Sequence, residues 1–226
     1  MAGVSRPVQT VHRRAGREPD IDNNNTIKEQ YLLRSEADLR EHYRQPSEGV
    51  VLKTIDRLDD YCCRLIAASP FAVLATGATT GLDCSPKGDA PGFIQVLDDR
   101  TLLIPDRPGN NRIDGLTNIV QDPRVGLIFL LPGVYEALRI NGRACISVDP
   151  ELRARFEENG RLPVSVIVVT VEEAFLHCGR AVKTAQLWDE SRFLKPADLP
   201  NTADIFKAHV TYTREKLVVD APRIET

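Results

Sequence analysis

Two polar segments of the chain combine side chains and spacings that suit the binding of an anion. The first, Ser85–Gly92, holds one cation, one anion and two glycines between two apolar runs. The second, Ile104–Arg112, places Arg107 and Arg112 on either side of a Gly-Asn-Asn turn that leads into a helical pattern. Guanidinium groups and the N–H groups at a helix N-terminus both favour phosphate. If the two segments meet, Lys87 adds a third cation.

The same spacing is also compatible with two polar surface loops whose charges are solvated. Elsewhere the sequence lacks the glycine-rich dinucleotide loop, the Walker loop, the His-Glu-x-x-His motif and the Gly-x-Ser-x-Gly elbow, which argues against a conventional hydrolase or nucleotide-binding enzyme. His177 and Cys178 are potential zinc ligands, but neighbours on a strand point to opposite faces and no second pair is suitably spaced. No metal site is predicted.

Helical patterns precede the first of these segments. Ser35 is followed by acidic residues, which is typical of an N-cap, and the helix is expected to end before Pro46. From Ser47 to the residue before Pro70, apolar residues recur every three or four positions, which predicts one further helix with a single apolar face. Cys62 lies on that face and is predicted to belong to the core.

After Pro70 the apolar period shortens, and the runs rich in β-forming residues are bounded by Gly, Pro, Asp or Asn. We predict at least six strands, at Phe71–Thr76, Gly92–Leu97, Thr101–Ile104, Val125–Leu131, Ala137–Val148 and Val164–Val171. Many strands joined by short turns, with helices at the periphery, favour a closed or nearly closed antiparallel barrel.

Turn and cap signals refine this prediction. Asp98-Asp99 suits a hairpin, and Asn141-Gly142 predicts a bulge within a long strand. Asn111–Val120 is predicted as a helix, and Asp149-Pro150 is predicted to cap and begin another. The last helical stretch is expected near Thr202–Lys207.

Bulk composition limits the classes of function. The 226 residues are 42% hydrophobic and 27% charged with a formal charge of −3, as in an ordinary globular protein without bulk affinity for nucleic acid. The longest apolar runs are too short to span a membrane. Five cysteines, an odd number without a Cys-x-x-Cys pair or an apolar secretory leader, favour the cytoplasm. Residues 1–26 are predicted as a flexible tail and residues 27–226 as one domain.

Three motifs give the chain a resemblance to a known family. They are Ser85–Asp89, Ile104–Arg112 and His177–Ala181, within a broader similarity from about Tyr31 to about Trp188. The chain resembles the pyridoxamine 5'-phosphate oxidase-like, FMN-binding split-barrel superfamily, and in particular its bacterial subgroup that carries these motifs. The resemblance implies a mainly β fold with peripheral helices, built as a six-stranded antiparallel split barrel. It also implies a homodimer with FMN at the subunit interface and redox chemistry on a small-molecule substrate.

The resemblance also assigns candidate cofactor-binding residues. Those matching the family's phosphate and ribityl site are Lys87, Arg107, Asn110, Asn111 and Arg112, and those expected near the flavin ring are Ser85, Asp89 and Arg143. In relatives the C-terminal segment reaches the flavin of the partner subunit, which adds Lys183 and Trp188. Trp188 alone is equally explained as a docking anchor. His177 is either an acid–base group or structural.

Three functional classes remain open. The first is an FMN-dependent oxidoreductase, the second a non-catalytic flavin-binding or storage protein, and the third a split barrel that binds haem or a deazaflavin. A glutamine that the oxidase proper uses is matched here by Ala137, so pyridoxamine or pyridoxine phosphate is not implied as the substrate. No catalytic residue is assigned.

Overall fold

Seven antiparallel strands form the sheet of the computed structural model, which describes residues 28–219. The order across the sheet is β2-β1-β5-β6-β7-β4-β3. Their bounds are β1 Phe71–Ala78, β2 Gly81–Gly88, β3 Gln95–Asp98, β4 Thr101–Asp106, β5 Arg124–Phe129, β6 Ala137–Ser147 and β7 Ser165–His177. The predicted mainly antiparallel β fold with helices is confirmed, with seven strands in this part of the chain where at least six were expected.

The sheet is strongly curved. Four strands separate β2 from β4 in the sheet order, yet the Lys87 ammonium on β2 lies 3.3 Å from the Asp106 carboxylate at the end of β4. Strand twist accumulates across a sheet and allows distant strands to approach when the sheet curls. The residues on its concave face make the core, among them the fully buried Ile104, Ile140 and Ile167.

The segment Ser85–Gly92 is predicted as a loop, but its first half is a strand, so the prediction is wrong for residues 85–88. Ser85 to Gly88 are the second half of β2, which pairs with β1 and lies at one end of the sheet order. Pro86 lacks an N–H donor, which an edge strand tolerates because only one of its edges needs hydrogen bonds. Half-buried and exposed residues alternate along β2, as expected for a strand with one covered face.

Helices α1 (Glu36–His42), α2 (Glu48–Leu52) and α3 (Asp60–Ala68) precede the sheet. Ser35 caps α1, as predicted, and the structure shows that the cap is a reciprocal capping box with Asp38. The single helix predicted from Ser47 to Pro70 is instead two helices, because Ile55 between them exchanges two backbone hydrogen bonds with Ala174 of β7. Asp59 then caps α3 by accepting a hydrogen bond from the Cys62 N–H at 2.8 Å. Cys62 is buried in the core, as predicted.

The remaining helices are α4 (Asp114–Gln121), α5 (Pro150–Ala154), α6 (Arg180–Thr184) and α7 (Thr202–Val219). Helix α4 begins three residues later than predicted, because Asn111 and Ile113 have left-handed φ angles of 58° and 49°. Asp149 caps α5 as predicted. Helix α7 is longer than the predicted Thr202–Lys207. None of the helices within residues 28–219 is long and apolar enough to cross a membrane.

The described residues divide into two compact units after Ala181. The first contains the sheet with α1 to α5, and the second contains α7 and two short 3-10 turns. The tail predicted at residues 1–26 lies outside the described residues, so the predicted domain boundaries remain a prediction.

The predicted bulge in β6 is confirmed, since the pairing with β7 shifts register between Asn141 and Gly142. A Cβ atom on Gly142 would overlap the backbone carbonyl of Thr170. This close approach of two backbones explains why a glycine occupies the bulge.

We predict that Gly142→Ala destabilises the fold by about 1–3 kcal/mol, because the added methyl group forces two strands apart. Gly49→Ala is the matched control, since Gly49 lies in α2 with no atom within 4 Å of the added Cβ. Urea denaturation measures both variants. Equal unfolding midpoints for Gly142→Ala and the unaltered protein would contradict this account of the bulge.

Candidate functional site

A cavity of about 480 Å³ lies where β2 approaches the end of β4. Its walls come from β2, from the loop at residues 107–113 and from the first turn of α4, with Leu74 and Ile167 as apolar lining. The structure thus brings together the two segments that carry the sequence motifs. The candidate residues that line the cavity are Ser85, Lys87, Arg107, Asn110, Asn111 and Arg112.

Strand β2 supplies one wall through its two-residue period. Asp83, Ser85 and Lys87 alternate with exposed residues and therefore share the covered face of the strand. The Ser85 hydroxyl donates to Asp83 Oδ2 at 2.7 Å, and Lys87 Nζ donates to Asp106 Oδ1 at 3.3 Å. This wall therefore presents a hydroxyl, an ammonium and one carboxylate to the cavity, and the Asp106 carboxylate of β4 lies beside the ammonium.

Arg107 is held by several partners at the start of the loop. Its guanidinium donates to Asp89 Oδ2 at 2.8 Å and to the Phe156 carbonyl at 3.3 Å, and it pairs with Glu158 at 3.1 Å. Asp89 does not line the cavity but fixes this arginine from the end of β2. The Ala90 N–H, and after it Arg107, lower the pKa of Asp89 below its usual value.

The loop between β4 and α4 has a strained backbone. Asn111 tolerates a left-handed φ, whereas Ile113 does not do so readily, because its branched Cβ crowds the backbone. The Asn110 side chain accepts the Arg112 N–H at 3.0 Å and fixes the turn between them. Strained residues that the surrounding structure holds in place cluster at binding sites.

Arg112 is the most loosely held of the three cations that line the cavity. It pairs with Asp114 at 2.8 Å, and 68% of its side chain is exposed. For comparison, 34% of the Arg107 side chain and 22% of the Lys87 side chain are exposed. An exposed ion pair contributes little free energy, so a ligand anion can replace Asp114 at low cost.

The charges on the cavity wall balance. Three cations, Lys87, Arg107 and Arg112, face three carboxylates, Asp83, Asp106 and Asp114. Asp83 Oδ2 also lies only 2.8 Å from the position of a Cβ on Gly115, so a carboxylate already occupies the region beside the start of α4. An anion therefore fits better near Arg112 than at the helix N-terminus itself, and the rest of its ligand must suit polar, acidic surroundings.

The other candidate residues are not among those that line this cavity. Arg143 lies on the exposed face of β6, since it is exposed while its neighbours Gly142 and Ala144 are buried. Lys183 and Trp188 belong to the second compact unit. His42 and His177, the histidines among the described residues of the first unit, do not line the cavity.

Sequence reasoning missed the carboxylates at Asp83, Asp106 and Asp114. The spacing Asp83-x-Ser85-x-Lys87 is the signal that could have found the first, because residues two apart share one face of a strand. Asp106 lies within the motif Ile104–Arg112, but the sequence pattern assigns it no role in binding. Its ion pair with Lys87 depends on the curvature of the sheet, which no local pattern encodes.

Comparison with known proteins identifies the family. The family model for pyridoxamine 5'-phosphate oxidase matches residues 58–178, which include all seven strands and the whole cavity. The chain belongs to the pyridoxamine 5'-phosphate oxidase family. No curated protein matches the chain.

Solved structures of low sequence identity are also similar to parts of this family member. HupZ of Group A Streptococcus is 21% identical with a TM-score of 0.43, over 52% of this chain and 92% of that one. General Stress Protein 26 of Bacillus anthracis is 17% identical with a TM-score of 0.38, over 50% and 88%. An FMN-binding protein of Syntrophomonas wolfei is 10% identical with a TM-score of 0.39, over 50% and 80%.

We predict that Arg107→Ala raises the pKa of Asp89 but leaves it below the usual value, because the Ala90 N–H remains. With its pKa lowered by folding, Asp89 stabilises the protein above its unfolded-state pKa, and this contribution is lost as the pH falls through the folded-state pKa. A carboxyl NMR titration measures the shift. Asp122, whose pKa of about 2 depends on Arg124, is the internal control. An unchanged Asp89 pKa would contradict the ion pair.

Proposed function

We propose that the protein binds FMN in this cavity and is an FMN-dependent oxidoreductase that acts on a small organic molecule. The observation that carries the proposal is the meeting of Lys87 on β2 with the 107–113 loop in one cavity, in a chain of this family. The volume of the cavity lies within the range of small-molecule and cofactor sites.

Arg112 and Lys87 are the groups that would hold the phosphate. Arg112 exchanges a weak, exposed contact with Asp114 for charge-assisted hydrogen bonds to a dianion. Arg107 already has two carboxylates and a carbonyl as partners, so it positions the loop rather than carrying the phosphate charge alone. Asn110 and Asn111 add amide groups for the phosphate or the ribityl chain.

Ser85, with apolar Leu74 and Ile167, would face the less polar part of the cofactor. Bound FMN supplies the electron-transfer chemistry, while the protein binds and orients it. No histidine of residues 28–181 lines the cavity, so the haem alternative gains no support from this part of the chain. Cofactor uptake without turnover of any electron donor would instead identify a flavin-storage protein.

We also propose a homodimer that shares this site. Arg143 points away from the cavity of its own chain, so it reaches a flavin only if a second copy brings its own cavity against that face. Light scattering should then give twice the chain mass of 25.1 kDa. A monomer at all concentrations would contradict the shared site.

All five cysteines are free, which supports a cytoplasmic protein.

We predict that Arg112→Ala weakens FMN binding roughly 10- to 100-fold, because a hydrogen bond to a charged group is lost. Riboflavin, which lacks the phosphate, should bind equally to the variant and the unaltered protein. Flavin fluorescence titration measures both affinities.

Arg124→Ala is the matched control for this prediction. Arg124 also pairs with an aspartate two residues away and is 76% exposed, but it does not line the cavity. Its replacement should leave both affinities unchanged. Full FMN affinity in Arg112→Ala would show that the phosphate binds elsewhere.

A further inference from the structure

A buried serine beside the cavity has no hydrogen-bond partner. Ser165 is the first residue of β7 and is only 4% exposed. Among the described residues, its hydroxyl is the one buried side-chain polar group without a partner. Burying a hydroxyl without a hydrogen bond is costly, and such a group calls for a ligand or an equivalent partner.

The strand register shows which way this hydroxyl faces. Ser165 lies directly opposite Asp106, and Ile167 lies opposite Ile104 in the same pair of strands. Residues opposite each other in antiparallel strands share a face. Asp106 and Ile167 both line the floor of the cavity, and the Ser165 side chain lies on their face of the sheet, next to this floor but not among the residues that line it.

The chemistry of this floor differs from that of the loop. One carboxylate oxygen of Asp106 accepts a hydrogen bond from Lys87. The other oxygen has no hydrogen-bond partner among residues 28–219. A carboxylate only accepts hydrogen bonds and repels an anion, whereas a hydroxyl both donates and accepts. The pair therefore suits an uncharged ligand group that donates a hydrogen bond.

We propose that Ser165 and Asp106 bind a hydroxyl or N–H group of the ligand whose phosphate binds at Arg112. This proposal rests on the proposed function and adds the orientation of the ligand in the cavity. The side chain of Asp106 is 19% exposed and that of Arg112 is 68% exposed, so the uncharged donor lies inward and the phosphate outward. The cavity thus selects a phosphate ester that also carries hydroxyl or N–H donors.

The test compares Ser165→Ala with Ser69→Ala in thermal unfolding and in titrations with FMN and riboflavin. Ser69 is equally buried, but its hydroxyl donates to the Phe71 carbonyl at 2.8 Å. Without flavin, Ser165→Ala should raise the melting temperature by about 2–4 °C, because an unpaired hydroxyl is removed. The same variant should bind both FMN and riboflavin about three- to tenfold more weakly, because a neutral hydrogen bond is lost.

Ser69→Ala should show the opposite pattern, a lower melting temperature with unchanged affinities. If the unaltered protein binds FMN and Ser165→Ala binds it equally well, the assignment of Ser165 is wrong while the proposed function stands. A lower melting temperature for flavin-free Ser165→Ala would also overturn the assignment, because the hydroxyl would then have a partner within the protein. An unaltered protein that binds neither flavin overturns the proposed function and this assignment together.

Discussion

The site depends on two ion pairs that join strands far apart in the sheet. At the end of β2 the chain offers a cation at Lys87 and an anion at Asp89, and at the end of β4 it offers an anion at Asp106 and a cation at Arg107. Opposite charges face each other in both pairs, and no more than 34% of any of the four side chains is exposed. Partly buried pairs are screened less by solvent than exposed ones. They hold the curled sheet at the spacing that creates the cavity.

This arrangement makes ligand binding an exchange of partners. A phosphate that enters the cavity finds every cation on its wall already paired with a carboxylate and must compete with that carboxylate for the cation. The cost of displacement is lowest at exposed Arg112, higher at Lys87, and highest at Arg107, where removal of one partner would leave other groups unpaired. The same pairing keeps the fold intact without a ligand. In the proposed site, a bare phosphate would gain no favourable contact from the acidic floor at Asp106.

The sequence motifs predicted the parts of the site better than their assembly. The segment Ile104–Arg112 was correctly placed between a strand and a helix, and the bulge at Gly142 and the cap at Asp149 follow from local chemistry. Strand β2 was missed because its proline and charges are typical of a loop, and only its alternation indicates a strand.

Other features depend on distant contacts. The break between α2 and α3 arises from the pairing of Ile55 with Ala174, more than a hundred residues away. Nothing about an isoleucine predicts the left-handed backbone of Ile113, and the burial of Ser165 depends on its strand register with Asp106. The roles of Arg143, Lys183 and Trp188 stay predictions, because they rest on the resemblance alone.

The most direct test of the central claim is the visible absorption spectrum of the purified protein, before and after addition of FMN. The account predicts flavin bands in the protein as isolated, or their appearance in the protein fraction after FMN is added and the excess removed. Heat should release FMN, identified by its mass. A colourless protein that retains no added FMN would contradict the account and leave this cavity without its proposed ligand.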